Sequence, residues 1–290
     1  MSGRIRHPMI TWQVPALAGL LGAAAWMQRD ALLDIWAIGS GVTDQSHILM
    51  APLVAAYLFW LRRSRLRSTP LVASPLGPVL VVVGWLMTWG GVEINMDIAR
   101  HFGALVTLLG AIVSVTGLQV VRRFAPAFLA MLFVLPVPGS VRHVIAIPLQ
   151  GLATSVTHSM LDFMAIPVVR NGFVLSINGE PVAIGEACNG MRMVFALWLV
   201  VYAFAFSLPL RTGTRLLLLG MSPVVALLAN VIRLIPTSIV FGYGSIEQAE
   251  LFHDVAGWVM LCAAVLLLIG TVRLIRWLDL PVTRYRLATQ

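Results

Sequence analysis

Three groups of polar residues sit where the surrounding sequence is apolar, and their types belong to acyl-transfer chemistry. The first is Cys188 in "GEACNGMRMVF", with Glu186 two residues before it, Asn189 beside it and Arg192 four residues on. A thiol at the start of a helix feels the helix dipole, and a guanidinium one turn later adds to it; both favour the nucleophilic thiolate. The second is "NVIR", which puts Asn230 and Arg233 three residues apart on one helical face. The third is "ELFHDVAGW", with His253 and Asp254 expected at the start of the last apolar run. Imidazole exchanges a proton near neutral pH. A thiol nucleophile, a cation and a proton-exchanging ring are the working parts of a thiol acyl-transfer site. Each group also has a plainer reading: an interfacial cysteine with a snorkelling arginine, an arginine bound to backbone carbonyls, and a solvated histidine.

What must position these residues is a set of membrane helices. Of 290 residues, 59% are hydrophobic and only 11% charged, and apolar runs near 20 residues recur from end to end, which excludes a large soluble core. The runs predict an all-α polytopic membrane protein with about eight transmembrane helices, near 10–27, 46–61, 75–94, 103–121, 124–138, 188–209, 215–241 and 254–275. The basic, then apolar, N-terminus resembles a signal peptide, but its apolar run is long enough to span and "QRD" follows in place of a small-residue cleavage site, so it is read as the first helix. An ionisable side chain inside such a span costs at least about 2.5 kcal/mol on insertion scales, so Arg233 needs a reason to be there.

The net charge of +8 is carried by twenty arginines and no lysine. They cluster in loops, as in "RRSRLR" at 62–67, "VRR" at 121–123, "RTGTR" at 211–215 and "RLIRW" at 273–277, with no nucleic-acid motif beside them, so nucleic acid is not a partner. Placing the clusters in the cytoplasm puts both termini inside and leaves only arginines 29, 100, 142, 170, 192 and 233 outside or at the outer face. That topology, built without the chemical residues, brings Cys188, Arg233 and His253 to one membrane face. Of the two cysteines, Cys262 lies deep in an apolar run and reads as inert, whereas Cys188 reads as exposed.

The chain is expected to form a single integral membrane domain over 1–290, with 139–187 as its external segment. In the first part of that segment Gln150, Thr154, His158 and Asp162 recur at helical spacing, which predicts an amphipathic helix on the outer surface, with a ninth, partial span as the alternative. The second part alternates and breaks at Asn178-Gly179, predicting a β-hairpin that leads to Cys188.

Taken in order, "EACNGMR", "NVIR" and "FHDVAGW" resemble the exosortase and archaeosortase family of membrane cysteine transpeptidases, whose hallmarks are an "ACSGLR"-like motif, an "NxxR" motif and a later histidine or arginine. The likeness extends to "SHILMAPLVAAYLFWLRR" and to the hairpin before the cysteine. Asn189 stands where serine is usual, and Ile48 where glycine often follows "SH". The resemblance implies that Cys188 forms an acyl-thioester, that Arg233 acts on the leaving group or oxyanion, and that His253 fills the third catalytic position, with Glu186, Asn189, Arg192, Asn230 and Asp254 in support. It implies no cofactor and no metal. The partners it implies are the lipid bilayer of a bacterial inner membrane and exported, membrane-anchored proteins with a C-terminal tripartite signal: a short motif such as Pro-Glu-Pro, a transmembrane helix and a basic cluster. A transporter that binds an anionic substrate through Arg192 and Arg233 is the competing reading, and a scaffold of a polysaccharide-export apparatus a third. The apolar cytoplasmic halves of the spans count against a transport pathway.

Overall fold

The computed structural model describes residues 12–41, 45–184 and 191–277, with several side chains of the last helix, among them His253 and Asp254, outside the description. The described chain is mostly helical with one small sheet, and it forms two compact units, Met1–Pro138 and Gly139–Gln290.

The first unit comprises α1 (Gln13–Met27), α2 (Arg29–Ser40), α3 (Ala51–Leu61), α4 (Leu76–Glu93), α5 (Asp97–Thr116), α6 (Leu118–Arg123) and α7 (Ala125–Ala130). Tight 3₁₀ turns at Ser46–Met50, Arg63–Ser68 and Met131–Val134 flank α3 and extend α7. Its tightest pair is α4 on α5, and glycine makes it so. A Cβ at Gly84 would stand 2.5 Å from the Thr107 nitrogen, one at Gly91 2.6 Å from the Arg100 nitrogen, and one at Gly110 2.6 Å from the Val81 nitrogen. Without side chains at these places the two backbones come together, which is how helices associate where lipid offers no hydrophobic contrast. Gly117, at φ 81°, ends α5 in a conformation that other residues adopt at a cost. A polar seam ties α2 and the α1–α2 joint to α5. Gln28 Nε2 donates to Thr107 Oγ1 at 2.9 Å, and Asp34 Oδ2 lies 2.5 Å from Arg100 Nη2 and 2.7 Å from His101 Nε2.

The second unit comprises α8 (Gly139–Phe163), the strands β1 (Val168–Asn171), β2 (Val174–Ile177) and β3 (Glu180–Ala183), then α9 (Met191–Ser207), α10 (Thr212–Tyr243) and α11 (Ile246–Trp277). The strands form an antiparallel sheet in the order β1-β2-β3, with Val168 opposite Ile177 and Val174 opposite Ala183. The expected hairpin is β2–β3: Asn178 and Gly179 have φ of 53° and 85°, the two positive values that a type I′ turn requires. A second hairpin precedes it, turning at Gly172 with φ 62°. Leu175 and Ile177 alternate inward along β2 and bury against Leu161 of α8 and Leu234 of α10. A separate cluster joins Met193, Leu197 and Val201 of α9 to Leu218, Val225 and Ala229 of α10.

Over the described residues the eight apolar runs fall on helices and their flanking turns, with 103–121 crossing from α5 into α6 at Gly117, but eight spans do not follow from this. Among the described residues four helices are long and apolar enough to cross a membrane, α4, α5, α8 and α10, while α1, α3, α7 and α9 are apolar but shorter. The helix at 139–163 is present, and its polar residues divide between its two sides: Thr154 is fully buried and Gln150 half-buried, while Asp162 is exposed alongside Val144 and Leu152. Its length and composition also suit a span, the alternative expected for this segment. Cys262 lies within α11, in the apolar run expected, and is a free thiol exposed on the surface of that helix.

Candidate active site

Arg233 is 5% exposed and Asn230 fully buried, both on α10. The sequence spacing of three residues becomes a contact: Arg233 Nη2 donates to Asn230 Oδ1 at 2.8 Å. One turn further on, Thr237 Oγ1 donates to the Arg233 carbonyl at 2.7 Å. Pro236 lacks an N–H, so the Ile232 carbonyl has no helical donor from it, and the helix is weakened next to the guanidinium.

The other side of Arg233 faces α11. A Cβ at Gly257 would stand 3.3 Å from Arg233 Nη1, so the glycine leaves room for the guanidinium. This pairing follows from the connection between the helices. Gly244 and Ser245 alone separate α10 from α11, and residues equally far from so short a turn come level on the two antiparallel helices. Ser245 and Gln248 fix the start of α11 by reciprocal capping, each backbone nitrogen bonded to the other's side-chain oxygen at 3.3 Å. His253 therefore lies within the second turn of α11, not at the start of the helix, and one turn before Gly257. Hydropathy located the helix start too late because "EQAELFHD" is polar although helical.

The approach to Cys188 is held at both described ends. Ile184, 2% exposed, receives Gln150 Nε2 on its carbonyl and donates its own N–H to Phe173 O at 2.9 Å. Across the gap Met191 is 1% exposed. The β2–β3 hairpin docks on the last turn of α10: Asn178 Nδ2 reaches Gly242 O at 3.5 Å, and a Cβ at Gly242 would stand 2.5 Å from Ile177 Cγ2. Cys188, Glu186 and Asn189 themselves lie outside the described residues, as do the side chains of His253 and Asp254. Arg192 is described and exposed on the first turn of α9. The structure thus brings together Asn230 with Arg233, and Arg233 with the α11 turn after His253. Thr237 and Gly257 were given no role, although Thr237 is one turn beyond Arg233 and Gly257 lies within "FHDVAGW" itself. Gln150 was read only as part of a polar stripe, not as the group that fixes the chain before the cysteine.

A family model described as transmembrane exosortase matches residues 36–270. The chain belongs to the transmembrane exosortase family. No curated protein and no solved structure matches it. The exosortase match runs from α2 into α11 and so includes parts of both units and all three motifs. Membership makes the chain a membrane protein of a transpeptidase or protease family.

Proposed function

We propose that this exosortase-family chain is a membrane-embedded cysteine protease or transpeptidase that cleaves a C-terminal sorting signal from exported, membrane-anchored proteins. Cys188 gives its proton to the His253 imidazole and its thiolate attacks the scissile carbonyl; the C–N bond breaks, the amine leaves with the proton returned by the imidazolium, and the acyl group remains on sulfur as a thioester until a second nucleophile takes it. Arginine stays protonated, so Arg233 acts by its charge on the oxyanion and not as a proton donor. His253 fills the third position, and Arg192, Glu186, Asn189, Asn230 and Asp254 support the site. Its place is the external face of a bacterial inner membrane, with both termini cytoplasmic, where the substrate's transmembrane helix presents the bond just outside the bilayer.

The observation that carries this reading is the buried guanidinium of Arg233, held by Asn230 at 2.8 Å and facing α11 one turn from His253. A buried cation of this kind is expensive and marks function more often than packing. The test is processing of a co-expressed tagged substrate. Cys188→Ser abolishes processing while the protein still inserts and folds, because a hydroxyl lacks the nucleophilicity of the thiol. Cys262→Ser processes normally. Equal behaviour of the two variants contradicts the assignment.

A further inference from the structure

The first unit contains a cavity of about 550 Å³ between α1, α3, α5 and α7, within the range of about 300–1,000 Å³ that holds small molecules. Its walls are hydrocarbon, from residues such as Leu17, Ala55, Phe59, Val115, Ala127 and Met131. Gln13 and Thr116 also line it, but their polar groups are turned to the protein. Gln13 Nε2 donates to Leu71 O at 3.2 Å, and Thr116 Oγ1 to Ile112 O at 2.8 Å.

One rim of this cavity is strongly basic. Its lining includes Trp60 and Leu66, from the stretch that carries Arg62, Arg63, Arg65 and Arg67, and Val120, from the helix that carries Arg122 and Arg123. The two stretches are pinned to each other. Arg123 Nη1 donates to Ser68 O at 2.9 Å and Ser68 Oγ at 3.0 Å, and Arg65 Nη1 to Arg123 O at 3.5 Å. Arg63 lies 3.8 Å over the Trp60 ring. The rim is thus assembled before any ligand arrives, with Arg63, Arg65, Arg67 and Arg122 exposed. No aspartate or glutamate occurs in 45–92 or 98–161. Among the described residues no carboxylate lies within ion-pair distance of Arg63, Arg65, Arg67, Arg122 or Arg123.

A hydrocarbon cavity with an uncompensated cluster of guanidinium groups at its mouth has the two chemistries of an anionic phospholipid. We propose that it binds one such lipid, with an acyl chain in the cavity and the phosphate headgroup on Arg65, Arg67 and Arg122. Guanidinium forks suit phosphate oxygens, and basic clusters at a membrane edge attract anionic headgroups. A peptide helix ending in basic residues meets like charge at this rim, which argues against that occupant.

The test is native mass spectrometry of the detergent-purified full chain offered equal concentrations of phosphatidylglycerol and phosphatidylcholine with matched acyl chains. Retention of one phosphatidylglycerol in preference to phosphatidylcholine is expected. Arg67→Gln with Arg122→Gln lowers that retention more than tenfold, since each arginine near the surface contributes about fivefold. Ala56→Phe, which puts a ring into the cavity from an exposed lining position, lowers retention of both lipids. The arginine pair is on the surface and carries the test even if Ala56→Phe lowers the melting temperature. Equal retention of the two lipids, retention that survives the arginine substitutions, or a dimer mass in place of a lipid adduct overturns the proposal.

Discussion

At Arg233, chemistry and packing make opposite forecasts for one substitution series. If the guanidinium stabilises the tetrahedral intermediate, Arg233→Lys keeps the charge but loses the planar fork, and cleavage falls by about 10²-fold or more, the cost of losing a well-placed oxyanion donor. Capture of uncleaved substrate and the melting temperature stay normal. If Arg233 only ties helices together, expression, melting temperature and activity fall in step. Gly257 gives an independent handle, because a side chain there meets Nη1 at 3.3 Å from its first atom. Gly257→Val displaces the guanidinium without removing it, so turnover of substrate falls while its capture remains, and a matched loss of both places Gly257 in the packing alone. At this scale the sequence was informative about pairs within one helix, since i and i+3 fix a shared face. It was silent on Thr237 and Gly257, whose part depends on which helix comes opposite.

Between elements, the decisive feature is the glycine seam of α4 and α5. Gly77, Gly84 and Gly91 on α4 stand against Ser114, Thr107 and Arg100 on α5, a seven-residue step on one helix matched by a seven-residue step on its antiparallel partner. A period of seven keeps one face in contact along two gently crossed helices. Gly84→Ala forces its methyl against backbone that cannot rotate away, and destabilises by about 1–3 kcal/mol. Gly90→Ala, where nothing lies within 4 Å, is neutral or stabilising by up to about 1 kcal/mol. Melting of the two variants in detergent checks the contrast, and equal melting shows that the glycine seam does not stabilise the pair. The glycines at 77, 84, 91 and 103, 110, 117 are plain in the sequence, but a hydropathy profile passes over them because it weighs apolarity and not shape. α2 escaped for a related reason: Arg29, Asp30 and Asp34 break its apolar run, while the structure uses Asp34 to bond Arg100 and His101.

For the whole molecule the expected arrangement rests on arginine placement, and reporter fusions test it. A fusion after Arg67 or Arg215 reads cytoplasmic, and one within 170–185 reads external. A cytoplasmic reading within 170–185 contradicts the site, because Cys188 then faces the wrong compartment. Helix positions were legible because long apolar runs have few alternatives, and the β2–β3 turn because Asn178-Gly179 suits two positive φ values. The surroundings of the α8 polar residues were not legible. Polar residues at helical spacing look the same whether they meet water or line a protein interior, and the structure divides this set, with Thr154 buried, Gln150 bonded to the Ile184 carbonyl and Asp162 exposed.

If Cys188 carries the acyl group, the thioester can be trapped. The full chain is co-expressed with a tagged substrate, quenched in acid and digested, and the cysteine peptides are weighed by mass spectrometry. Substrate sequence up to the cleaved bond is expected on the Cys188 peptide, released by neutral hydroxylamine and missing in Cys188→Ala. Substrate processing that continues in Cys188→Ala, or an adduct on Cys262 in its place, contradicts that role for Cys188.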